Sequence, residues 1–234
     1  MKKVVLNLNL NKKNIITGFV IFACILMYVI ETYINPQYLL KSIYKVFLFA
    51  GIPLLYCILD KNIKFKDYFT VKDKRQIIVS LAMGLGVYLF ILLGYYVLRG
   101  FIDLDNIAMQ LENNLNVNKN NFIFVAIYIS FVNSMLEELF FRGFAFLMLK
   151  ERSPRLYSYV ISALAFSIYH VSILANWFNP IIYVVFIVGL FVTGLFFNWL
   201  NEKNDNIYNS WIVHISANFS INTIGFIMFG LIGI

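Results

Sequence analysis

Residues 77–98 read IIVSLAMGLGVYLFILLGYYVL, an unbroken run of 22 residues without a charged side chain. A helix that crosses the hydrocarbon core of a bilayer needs about 20 consecutive, mostly apolar residues, so this run predicts a membrane-spanning helix. The whole chain of 234 residues is 61% hydrophobic and only 13% charged, with a mean hydropathy of +0.76. This composition excludes a water-soluble globule, a disordered chain and a disulfide-stapled secreted domain, and it predicts a protein that crosses a membrane several times.

Six further runs have the length and hydropathy of membrane spans. They cover residues 14–30, 43–59, 122–149, 156–175, 181–200 and 207–234. Together with 77–98 they predict an all-α, polytopic transmembrane helical bundle of seven spans. The last run is long, and Asn222, Thr223 and Gly225 could divide it, so eight spans is the alternative.

The sequence is interpreted as a single membrane domain over residues 1–234, because no linker, repeat or low-complexity segment divides it. The two longest polar segments, 60–76 and 99–121, carry scattered Ile, Phe and Leu, which is typical of interfacial helices. We therefore expect residues 1–121 to form amino-terminal helices with interfacial loops.

The basic residues are distributed unevenly between the two sides of the predicted bundle. The net charge is +7, and with a cytoplasmic amino terminus 14 of the 19 Lys and Arg lie on the cytoplasmic side. Lys41, Lys45, Arg99 and Lys119 lie on the outer side, although Lys45 could belong to its helix, and Arg142 lies within a span. This asymmetry predicts a multi-pass protein of the cell membrane with a cytoplasmic amino terminus, in contact with membrane lipid and without a nucleic-acid partner. The Asn- and Lys-rich loops indicate a bacterial origin.

Five ionisable side chains fall within the predicted spans and cannot be assigned to a loop. They are Glu137, Glu138, Arg142, His170 and His214, which include both histidines of the chain. A charge at bilayer depth costs at least about 2.5 kcal/mol and usually marks a functional site. We therefore expect Glu137, His170 and His214, on three different helices, to converge on one water-accessible pocket.

Two spans carry a polar stripe at the helical period of about 100° per residue. The fourth span has Ser130, Ser134, Glu138 and Arg142, and the last has Ser210, His214, Asn218 and Asn222. Glu138 precedes Arg142 by four residues, the favourable order for an ion pair on a helix. Glu137 has no basic residue four positions away, so it is predicted to be the free carboxylate of the site.

Three short patterns resemble those of the CPBP family of intramembrane proteases, which includes eukaryotic type II CAAX prenyl endopeptidases and bacterial Abi proteins. Residues 137–142 (EELFFR) fit E-E-x-x-x-R, residues 166–170 (FSIYH) fit F-x-x-x-H, and residues 214–218 (HISAN) fit H-x-x-x-N/D. The resemblance covers about 122–225, and it implies that this segment is a catalytic, Abi-like core with the fold of CAAX proteases.

The resemblance also implies a reaction and a role for each residue. The reaction would be hydrolysis of a peptide bond in a membrane-associated or lipidated peptide, as in CAAX processing, pheromone or bacteriocin maturation, or self-immunity. Glu137 would be the general base that activates water, His170 would position that water, and His214 with Asn218 would stabilise the oxyanion. Structural support would come from Glu138, Arg142 and Phe166.

Several alternatives remain open on the sequence. Zinc could be bound by Glu137, His170 and His214, but no H-E-x-x-H element is present, so a mechanism without a metal cofactor is favoured. The chain could instead be a non-catalytic bacteriocin-immunity or binding protein whose polar groups tie helices together. A proton-coupled transporter is a third option, although the sequence has no internal repeat. No oligomeric state follows from the sequence.

Overall fold

A computed structural model of the chain describes residues 2–60, 63, 65–71, 73–175 and 177–233, without the side chains of residues 2–10 and 65. Over these residues the chain is helical and has no strand. Seven helical segments there are long and apolar enough to cross a membrane. They are α1 (Asn11–Ile34), α2 (Tyr38–Leu59), α3 (Lys74–Phe101), α5 (Phe122–Met148), α6 (Arg155–Leu174), α7 (Pro180–Glu202) and α8 (Tyr208–Met228), while the shorter α4 is Leu104–Leu115. The predicted all-α bundle is confirmed, and α8 is one continuous helix instead of two.

The second span differs from its prediction. It begins at Tyr38 instead of residue 43, so Lys41 belongs to α2, and Lys45, which the charge count places on the outer side, lies inside the same helix. Each lysine is paired with a carboxylate of another helix: Lys41 with Glu31, and Lys45 with Glu137. A hydropathy scan counts every charge as unpaired, whereas paired charges can be accommodated inside a bundle. This pairing is why the start of the helix was predicted too late.

The polar segments between spans contain less helix than predicted. In the first, the structure has one 3-10 turn, Phe65–Phe69, and the predicted cytoplasmic residues Lys61, Lys64 and Lys72 lie outside the described residues. The hydroxyl of Tyr68 in this turn donates to Glu151, and its carbonyl accepts from the amide of Ile207, so the turn joins two other loops. Burial and the neighbouring Glu151 raise the pKa of Tyr68. The second segment contains α4, and its interfacial position stays a prediction.

Small residues allow two pairs of helices to pack closely. A Cβ placed on Gly194 of α7 would lie 2.8 Å from Cα of Ala163 on α6, closer than real Cβ contacts. Next to Ala163 on α6, the hydroxyl of Ser162 donates to the carbonyl of Phe141 on α5 at 2.8 Å. Close approach through small residues is the usual packing mode between membrane helices, because lipid provides no hydrophobic driving force for their association.

An aromatic core fixes α2 against α5. Phe49 of α2 stacks on Phe140 with ring centroids 4.4 Å apart and meets Phe141 edge to face at 5.2 Å. All three rings are fully buried. Because Lys45 lies one helical turn before Phe49, this contact also determines where the lysine side chain reaches α5.

Candidate active site

Glu137, His170 and His214 come from three different spans and meet at one point. Oε2 of Glu137 lies 4.0 Å from Nε2 of His170 and 3.7 Å from Nε2 of His214. Glu137 is 2% exposed and His214 is 8% exposed, while His170 is partly buried. The structure therefore brings together the three titratable groups that the sequence places on separate helices.

Both imidazole rings are oriented by a hydrogen bond at the other nitrogen. Nδ1 of His170 lies 2.8 Å from the carbonyl oxygen of Phe166, and Nδ1 of His214 lies 2.8 Å from Oε1 of Glu138. A carbonyl and a carboxylate can only accept, so in each neutral ring the proton is on Nδ1. The Nε2 lone pairs of both rings then face Glu137.

Glu138 has a larger role than the predicted pairing with Arg142. The ion pair exists, with Nε of Arg142 3.5 Å from Oε2 of Glu138, and both side chains are fully buried. Glu138 also accepts from Nδ1 of His214 and from the hydroxyl of Ser210. Asn201 of α7 supports that hydroxyl, since its Nδ2 lies 2.5 Å from Oγ of Ser210. Ser210 lies on the polar stripe predicted for the last span, but no sequence signal indicates Asn201.

Glu137 is not the free carboxylate that the sequence predicts. Nζ of Lys45 lies 2.6 Å from Oε1 of Glu137 and 2.5 Å from Oδ1 of Asn133, and Nδ2 of Asn133 donates to the same Oε1 at 3.0 Å. The prediction was wrong because it considered only partners one turn away on the same helix, whereas Lys45 is 92 residues away in sequence. The usable signal was Lys45, the lone lysine within the predicted span 43–59.

Phe166 contacts the charged groups as well as the apolar core. Its ring centroid lies 4.1 Å from Cζ of Arg142, and the ring of Phe197 lies on the guanidinium at 4.9 Å. The edges of His170 and His214 also meet Phe166, with centroids 4.8 and 6.1 Å apart. An aromatic face stabilises a desolvated cation. Phe166 therefore holds Arg142 while it positions the two imidazole rings.

Asn218 connects α8 to α5. Its Nδ2 donates to the carbonyl of Ile129 at 3.1 Å, and Asn222 one turn later donates to the carbonyl of Ala126 and to Ser130. The polar stripes of the fourth and last spans thus face each other. An amide nitrogen has two hydrogens, so the bond to Ile129 leaves Asn218 a second donor. Its role at the oxyanion stays a prediction.

Residues 129–148 of α5 depart from a regular α-helix at the site. Ile129–Asn133 and Glu138–Met148 are π-helical, and they flank the single α-helical turn Ser134–Glu137. Widened turns of this kind occur frequently at functional sites. Both glutamates lie at the junction between the α-helical turn and the second π-helical segment.

The residues present fit a zinc ion poorly. With zinc bonds of about 2.0–2.1 Å, neighbouring ligand atoms of a tetrahedral site lie about 3.3 Å apart. The two Nε2 atoms are farther than this from Oε2 of Glu137, and Lys45 occupies the other oxygen. Across the described residues, no group of three or more His, Cys, Asp or Glu has a geometry that could hold a metal ion.

Part of the chain, including the candidate site, matches a known protein family. Residues 119–220 match the family model described as type II CAAX prenyl endopeptidase Rce1-like. This segment includes Glu137, His170, His214 and Asn218, but not Lys45. No curated protein and no solved structure matches the chain.

Proposed function

The chain belongs to the Rce1-like type II CAAX prenyl endopeptidase family, and from that premise we propose that it hydrolyses a peptide bond by means of water activated by Glu137. At the family level it is a CAAX-type intramembrane protease, with a peptide substrate and a membrane setting. We further propose that the chain is a single catalytic domain that works without a metal ion. Its proposed substrate is a short peptide that is membrane-associated or lipidated.

The observation that carries the proposal is the spacing between Glu137 and the two imidazole nitrogens. Separations of 3.7 and 4.0 Å are too long for direct hydrogen bonds, but one water molecule can bridge them. That water would donate one hydrogen to Oε2 of Glu137 and the other to Nε2 of a histidine. Its oxygen would then have a lone pair free to attack the substrate carbonyl.

The reaction then follows in two steps. Water attacks the carbonyl carbon while Glu137 takes one of its protons, which gives a tetrahedral oxyanion. When the C–N bond breaks, Glu137 returns that proton to the departing amine. His170, oriented by Phe166, positions the water. His214 can donate to the oxyanion once Nε2 carries a proton, because the carboxylate of Glu138 stabilises the resulting cationic ring.

A purely structural role explains only part of the polar network. The hydrogen bonds of Glu138, Ser210 and Asn222 tie helices together, as a non-catalytic immunity or binding protein would require. In contrast, Oε2 of Glu137 and the two Nε2 atoms approach one another without reaching hydrogen-bond distance. This arrangement favours groups that act together on a third molecule.

The proposed substrates are peptides that reach the site from the bilayer. CAAX-type processing fits the family, and maturation of a bacterial pheromone or bacteriocin, or self-immunity, fits the Asn- and Lys-rich loops and a location in the bacterial cell membrane. An internally quenched CAAX peptide with a farnesylated cysteine is compared with the same peptide without the prenyl group. The difference in cleavage rate tests whether a lipid on the substrate is required.

The decisive experiment compares wild type with Glu137→Ala in lipid nanodiscs. We expect wild type to cleave the farnesylated peptide and the variant to be at least about 100-fold slower, since a positioned general base contributes about 100- to 10,000-fold. Mass spectrometry of membrane peptides from cells that express either protein extends the test to native substrates. Full cleavage by Glu137→Ala would refute the assignment, and loss of activity with chelator that zinc restores would favour a metalloprotease.

A further inference from the structure

Lys45 is a buried cation at the centre of the bundle. It is 5% exposed, and its ammonium contacts Oε1 of Glu137 and Oδ1 of Asn133 at 2.6 and 2.5 Å. The ammonium also lies 4.7 Å from the ring centroid of Tyr169 and 5.4 Å from that of Phe49. Two oxygen acceptors and two aromatic rings thus surround a single charge.

The charges buried at the site are balanced in pairs. Among the described residues there, Glu137 is paired with Lys45 and Glu138 with Arg142, while the two histidines can be neutral. A buried charge is tolerated in a low-dielectric interior only when a partner compensates it. Without Lys45, the Glu137 carboxylate would have, among the residues that the structure describes, no cation at ion-pair distance other than a protonated histidine.

The contacts of Lys45 also decide which oxygen of Glu137 is available. Lys45 and Asn133 both bind Oε1, so Oε2 is the oxygen that faces His170 and His214. A carboxylate held at one oxygen cannot rotate freely about its terminal torsion. The ammonium thus fixes both the charge and the direction of the base.

We propose that Lys45 is a positioning residue for Glu137, which holds the base as a carboxylate with Oε2 directed at the water site. This inference rests on the proposed function, because it assigns Lys45 a role in the same reaction. It also extends the functional site beyond the segment 119–220 that matches the family model, into helix α2.

The kinetic test uses Lys45→Met, which keeps the length and apolar character of the side chain but removes its charge. We expect kcat for the farnesylated, internally quenched CAAX peptide to fall about 100-fold with little change in KM, since loss of orientation at a reacting group has effects of this size. Lys45→Arg should retain more of the activity, and added propylammonium should restore part of it to Lys45→Ala.

The matched control is Lys12→Met. Nζ of Lys12 lies 2.6 Å from Oδ2 of Asp60, the same separation as between Lys45 and Glu137. Among the described contacts, neither Lys12 nor Asp60 touches an imidazole ring. This variant should keep the wild-type kcat. Wild-type kcat in Lys45→Met, or an equal loss in both variants, would overturn the proposal.

Thermal unfolding in detergent tests the pairing without a substrate. Lys45→Met and Glu137→Gln should each lower the unfolding temperature, because each leaves one buried charge uncompensated, and the double variant should recover much of the loss. Additive losses would overturn the proposal. If wild type does not cleave the peptide but the two substitutions are coupled in stability, the proposed function fails while the Lys45–Glu137 contact stands.

Discussion

The two adjacent glutamates face different neighbours, which fits the different roles proposed for them. Glu138 is enclosed by His214, Ser210 and Arg142, so its oxygens are committed to bonds within the protein. Glu137 is bound at one oxygen by Lys45, and its other oxygen faces the imidazoles across a gap. Neighbouring positions on a helix point about 100° apart, so Glu138 can stabilise the framework while Glu137 faces the proposed water site.

This division predicts different outcomes for two substitutions around Glu138. Glu138→Gln should lower the free energy of unfolding by about 3–5 kcal/mol, because it leaves Arg142 as an uncompensated buried charge. It should also slow cleavage, since His214 loses its orienting carboxylate. Ser210→Ala removes one hydrogen bond to a charged acceptor and should cost about 1.5–3 kcal/mol.

Denaturant titration and peptide cleavage of both variants in the same detergent provide the measurements. A Glu138→Gln protein as stable as wild type would contradict the buried ion pair. A larger loss in Ser210→Ala than in Glu138→Gln would contradict the assigned order of the contacts.

At the level of helices, α7 can pack closely on α6 because Gly194 has no side chain. A methyl group at Gly194 would overlap Ala163, whereas a methyl group at Gly189 on the same helix would meet nothing within 4 Å. The α6 helix carries His170 and Phe166, so a displacement of α6 would reach the site.

Gly194→Ala and Gly189→Ala therefore form a matched pair. Overpacking should cost Gly194→Ala about 1–3 kcal/mol and reduce peptide cleavage. Gly189→Ala should leave cleavage unchanged and raise stability by up to about 1 kcal/mol, since alanine is the better helix former. Thermal unfolding of the two purified proteins compares them directly. Equal unfolding temperatures would contradict the prediction, because they would show that α6 and α7 can move apart without loss of stability.

For the whole molecule, seven membrane crossings would place the start of α1 and the end of α8 on opposite sides of the membrane. With a cytoplasmic amino terminus, the loop after α7 is cytoplasmic and the end of α8 is external. Alkaline phosphatase fused after Phe229 should therefore be active, and green fluorescent protein fused after Lys203 should be fluorescent. The reciprocal fusions serve as controls. An inactive phosphatase at Phe229 would indicate an even number of spans or the opposite orientation.

Hydropathy predicts the number of spans because the thickness of the bilayer imposes a minimum length on every crossing helix. It placed the start of α2 five residues late, since Lys41 is compensated by a carboxylate, Glu31, that the scan does not consider. The E-E-x-x-x-R, F-x-x-x-H and H-x-x-x-N patterns identify the residues that meet. They do not predict the contact between Lys45 and Glu137, because no local spacing connects residues 92 positions apart. For the same reason Asn201 could not be recognised before its contact with Ser210 was visible.

The origin of Lys45 on α2 has a consequence for attempts to shorten the protein. A fragment trimmed to residues 119–220 would keep every motif residue, yet it would lack Lys45, the cation paired with the proposed general base Glu137. Such a minimal catalytic unit would resemble an enzyme in any motif scan and still be inert. Complementation by co-expressing the amino-terminal helices as a separate polypeptide would be needed to restore turnover.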